Sequence, residues 1–75
     1  MTAEQVQARQ HVEASAAFTA CVAAGRAVQA HMPGWGAAAM ECLIRQAEDS
    51  ALRRMQLAAK LDPELVASLA VEAGR

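Results

Sequence analysis

Tyrosine is absent, and the aromatic content amounts to one Trp and one Phe. A core built from packed rings is therefore excluded. Two cysteines allow one bridge at most, which rules out a disulfide-stapled scaffold. Only Pro33 and Pro63 interrupt the chain, so long helices can run uninterrupted between them. Net charge is −1, so there is no positive excess to hold a polyanion, and nucleic acid is not an expected partner. The apolar run Ala16–Gly25 is short and bounded by Glu13 and Arg26, which excludes a membrane span. Met-Thr-Ala-Glu-Gln at the start carries no basic region followed by an apolar stretch. A cytoplasmic location with reduced thiols is the expectation. Neither a Ser/His/Asp order with supporting context, nor a glycine-rich phosphate loop, nor a carboxylate pair in an apolar setting occurs. The sequence points away from an enzyme and implies no cofactor.

What fills the chain is alanine, at twenty of 75 positions. Alanine is the best helix former, and Gln, Arg and Glu accompany it. Thr2 with Gln5 three residues later fits a capping box that opens a first helix over about 3–31. Pro33-Gly34-Trp35-Gly36 breaks it, giving a turn over 32–36 in which the glycines permit positive φ. A second helix runs over about 37–61. Glu41, Arg45, Asp49 and Arg53 stand at i+4 spacing with alternating sign and mark its outer face. Asp62-Pro63-Glu64 is a restart signal for a third helix over about 63–73, with Gly74 at its exit.

Small residues recur at alternating steps of three and four. On the first helix the stripe is Ala14, Ala17, Cys21, Ala24 and Val28. On the second it is Met40, Ile44, Ala47 and Ala51, continued by Met55 and Ala58. Such stripes let helix axes approach closely. They predict an all-α single domain: an antiparallel hairpin with an Ala-rich seam plus a short C-terminal helix. Gly25, inside the first helix, fits close approach by a neighbour. Glu4, His11, Ser15, Thr19, Arg26 and Gln29 read as the solvated side. Val12, Phe18, Val22, Leu52 and Leu57 are too many for one two-helix seam. They point to a homodimer with a four-helix core, the same stripes serving as its oligomer seam.

Several constellations invite chemistry. With the turn near residue 34, Cys21 and Cys42 are roughly 9 Å out of register along the axis, too far for a disulfide. His31, Met32, Met40 and Cys42 cluster near the turn and would suit copper(I). No two of them share a metal-ligand spacing, and both methionines are placed to plug the hairpin end, so no metal site is assigned. Asp49-Ser50-Ala51-Leu52 resembles the Asp-Ser-Leu around the phosphopantetheine serine of acyl carrier proteins. That serine opens a helix after a loop, whereas Ser50 lies inside the charge ladder and reads as a mid-helix polar residue. Trp35-Gly36 between two long helices resembles the small WXG-type hairpin proteins. Those carry Trp-x-Gly, and here the two residues are adjacent.

The expected function is binding another protein, as a small adaptor, chaperone subunit or inhibitor that docks a helix face onto a larger partner. Trp35, Leu65, Val66 and Leu69 are the expected contacts. Two alternatives stand beside it. One is a structural subunit of a larger assembly such as a secretion or phage apparatus. The other is a copper- or redox-responsive module using Cys42 and the turn Met and His residues.

Overall fold

The computed structural model describes residues 1–74. All regular structure among them is helical, in the order α1 (Ala3–Gln29), α2 (Gly34–Leu61) and α3 (Pro63–Ala73). α1 opens with the expected capping box. Thr2 Oγ1 accepts from the Gln5 amide at 3.2 Å, and Gln5 Oε1 accepts from the Thr2 amide at 2.9 Å. It ends two residues early, where the His31 and Met32 amides turn back to Val28 and Gln29. α2 begins three residues sooner than expected. Pro33 is extended and acts as its N-cap, and the Ala37 amide already bonds to the Pro33 carbonyl at 2.8 Å. No glycine among the described residues takes positive φ. Gly36 serves another purpose: a Cβ there would sit 3.2 Å from Met32 Cε, so the missing side chain lets Met32 fold over the turn. At the other break Asp62 ends α2 and caps α3, its Oδ1 accepting from the Leu65 amide at 3.2 Å with Pro63 in the first turn.

α1 and α2 pack as the predicted antiparallel hairpin, and α3 lies against α2. Ser15 Oγ donates to the Ala51 carbonyl at 2.9 Å, and Gln29 Nε2 donates to the Ala37 carbonyl at 3.0 Å. These bonds fix the register. The inner face of α2 is the expected one: Ile44 and Ala58 are buried, and Met40, Ala47, Ala51 and Met55 are half-buried.

The inner face of α1 is not the expected one. Ala8, His11, Ser15, Phe18, Val22, Gly25 and Gln29 turn towards α2, each buried or half-buried. Ala17, Cys21, Ala24 and Val28 stay exposed, and Ala14 is half-buried at the edge. The true stripe is displaced by one residue along the chain, a rotation of about 100°. Burying Phe18 and Val22 removes far more apolar area from water than burying Ala17 and Cys21, at roughly 25 cal/mol per Å². Gly25 is a point of close approach, where an added Cβ would lie 3.0 Å from Ile44 Cγ1. Ser15 and Gln29, expected in solvent, instead bond across the hairpin.

Within the chain this core is thin. Among the described residues Ala8, Ile44 and Ala58 are its buried apolar side chains, and no large side chain is fully enclosed. The radius of gyration is 14.9 Å, against about 11 Å for a compact chain of this length. The extents are 48 × 26 × 14 Å, so the molecule is a slab little thicker than one helix. No helix among the described residues is long and apolar enough to cross a membrane.

Candidate interaction surface

The two broad sides of the slab differ in chemistry. One side is polar and closed. Arg26 pairs with Glu41 and, at 3.3 Å, with Glu48, while Arg45 reaches Glu41 at 3.4 Å. Gln29 Nε2 adds a bond to Glu41 at 2.9 Å. The Gln29 amide and the Arg26 guanidinium together hold the Glu41 carboxyl down to about 2, and Glu41 in turn raises the Arg26 guanidinium. These groups sit at the surface, where an isolated ion pair contributes little. Their effect is to tie the turn half of α1 to α2 in one register.

The other side is the more apolar of the two, with exposed Val28, Leu43 and Leu57, and carries two arginines. Phe18 of α1 and Ser50, Arg53, Arg54 and Leu57 of α2 line one shallow groove. From Phe18 this side extends along α1 through Ala14, Cys21 and Val28, spaced by seven. From Ser50 it extends along α2 through Leu43 and Leu57, again spaced by seven. Val28 is 52% exposed and Leu43 58% exposed. Between Ala14 and Val28 this strip of α1 carries no charged residue. Arg53 and Arg54 line the groove between Ser50 and Leu57, and Arg54 also contacts His11 Nδ1 at 3.1 Å.

At the tip, Trp35 is 82% exposed and closes nothing. Met32 does the plugging, packed over Gly36. On α3 the expected contacts Leu65, Val66 and Leu69 are half-buried. With α3 lying on α2, part of that face is already covered within the chain. The open side of α3 is a shallow groove lined by Ala67, Ser68, Val71 and Glu72.

The structure does not gather the turn sulfurs. Met40 faces α1, with its sulfur 3.6 Å from where a Gly25 Cβ would lie, and Cys42 is turned away from it by about 160°. Cys21 and Cys42 are both free and exposed. Among the described residues no three His, Cys, Asp or Glu side chains converge as a metal site. Ser50 lies well inside α2, half-buried beside the groove, as its place in the charge ladder predicts.

The signal sequence reasoning missed was side-chain size. Weighing Phe18 and Val22 above the regular alanines would have turned α1 to its true face and left the alanines outside. No known family model matches the chain. No curated protein matches it, and no solved structure does.

Proposed function

We propose that this chain is a protein-binding module, an adaptor, chaperone subunit or inhibitor, that acts as a homodimer with a four-helix core. One observation carries the reading. A folded monomer of 7.9 kDa exposes about 4400 Å² by the usual scaling with mass, and this chain exposes 5378 Å². The excess is roughly 1000 Å². A standard protein–protein interface removes about 800 Å² from each partner. A helical slab of this kind is half of a two-layer architecture, and its apolar surface is matched by a second layer.

With the two layers joined, Trp35 at the tip and the α3 end stay available for a larger partner. Trp is enriched among residues that dominate interface energies. Trp35→Ala is expected to weaken binding of a purified partner by about 30-fold, the effect of losing roughly 2 kcal/mol. Affinity within two-fold of the parent would remove Trp35 from the contact.

A second reading keeps the same chain as a repeating subunit of a larger structure. Leu52, 59% exposed on the polar side, supports it, because apolar surface then faces both ways. Light scattering separates the two. A mass near twice 7.9 kDa, constant with concentration, fits the adaptor, and growth beyond it fits the structural subunit.

A further inference from the structure

We infer that a second copy of this chain covers the apolar side of the hairpin, seated on Ala14, Cys21 and Val28 of α1 and on Leu43, Ser50 and Leu57 of α2. The inference rests on the homodimer reading and names its face, orientation and centre. The occupant follows from area: the excess exposure matches one partner's share of a standard interface, and a second copy of this chain offers an equal face to meet it.

The choice of side follows from charge. Arg26, Glu41, Glu48 and Arg45 occupy the opposite side. Covering them would strip water from four charges per copy, whereas the inferred face carries two, Arg53 and Arg54. On the inferred face Cys21 lies about 140° from Arg26, and Leu43 about 160° from Glu41, so that network stays in solvent. The seven-residue spacing of both strips is the one that keeps a helix seam facing a partner along its length. The small residues of the α1 strip allow the two α1 axes to approach to the near end of the usual 8–10 Å.

The orientation follows from Arg53 and Arg54, which lie on or beside this face towards the open end of the hairpin, with no acid among the groove-lining residues. Pairing the slabs with tips at the same end would bring four guanidinium groups together. A two-fold axis across the helices near Cys21 puts the two Arg pairs on opposite sides of the axis, well apart. α1 then stacks on its mate antiparallel, and Cys21, midway between Ala14 and Val28, lies near the axis close to its counterpart. Cys42, on the outer edge of α2 and three residues off the axis, is roughly 13 Å from its own, beyond a short linker.

Two measurements test this. The first is solution mass by light scattering, with helicity followed by circular dichroism, for the parent chain, Leu43→Asp and Leu52→Asp. Both leucines are more than half exposed in the single chain, so neither change disturbs the hairpin. The parent and Leu52→Asp are expected to be dimers. Leu43→Asp is expected to dissociate at least ten times more readily while remaining helical. The second is cross-linking with a short bis-maleimide, in which each thiolate adds across one maleimide double bond. The Cys42→Ser chain, reacting through Cys21, is expected to give a covalent dimer, and the Cys21→Ser chain is not. A monomeric parent overturns the homodimer reading and the inference together. A dimeric parent whose mass survives Leu43→Asp overturns the face alone. A dimer in which Cys21 is not bridged overturns the antiparallel centre.

Discussion

Two glycines show how position decides the worth of one methyl group. At Gly25 an added Cβ meets Ile44, which is 2% exposed and β-branched, so it has little room to give. Alanine would gain up to about 1 kcal/mol of helix propensity there but overpack the hairpin by roughly 1–3 kcal/mol. Gly25→Ala is expected to lower stability by about 1 kcal/mol, a drop of roughly 4–8 °C in melting temperature. Gly34 has nothing within 4 Å of the corresponding position and already has a right-handed helical backbone. Gly34→Ala is expected to raise stability by roughly 0.4–1 kcal/mol by restricting the unfolded chain. Thermal melts of the two variants side by side check the opposite signs. Glu41 gives the other residue-scale expectation. Its folded pKa is about 2 against an ordinary 4.5, so its contribution is complete above 4.5 and is lost as pH falls towards 2. The melting temperature of the parent should fall more steeply across that window than that of Glu41→Gln. Equal slopes would show that the Gln29–Arg26–Glu41 network does not favour the folded state.

At the scale of elements, the three helices were legible because each has chemically distinct ends. Thr2 with Gln5, and Asp62 with Pro63, name their caps in a few residues, and both caps form as expected. The inner face of α2 was legible because the charge ladder marks its outside and Met40, Ile44 and Met55 its inside. The face of α1 was not, because alanine lies on every side and periodicity alone cannot rank equal stripes. Size breaks the tie, through Phe18 and Val22, and so does Gly25 opposite Ile44. α3 has no buried residue and depends on its cap more than the long helices do. Asp62→Ala is expected to cost about 1 kcal/mol and to act locally. Amide exchange should quicken across Leu65–Leu69 while the centre of α1 stays protected. Uniform quickening along all three helices would mean that α3 and the hairpin unfold as one unit.

For the whole molecule the decisive quantity is the surface left over. A hairpin whose buried apolar residues are Ala8, Ile44 and Ala58 gains little from its own core. If the second layer supplies the rest, folding and association are coupled, and the melting temperature rises with protein concentration. Melts at concentrations a hundred-fold apart should differ by several degrees, and superimposed curves would argue for a chain stable alone. Helix content, breaks, caps and the hairpin itself were present in the order of residues, since propensity and capping act within a few positions. Which side of α1 turns inward depended on Phe18 and Val22 together outweighing the small-residue stripe for burial against α2, and on Ile44 finding the gap at Gly25. That contest involves residues far apart in the chain. Only packing the two helices together decided it, and in doing so left the alanine stripe facing out.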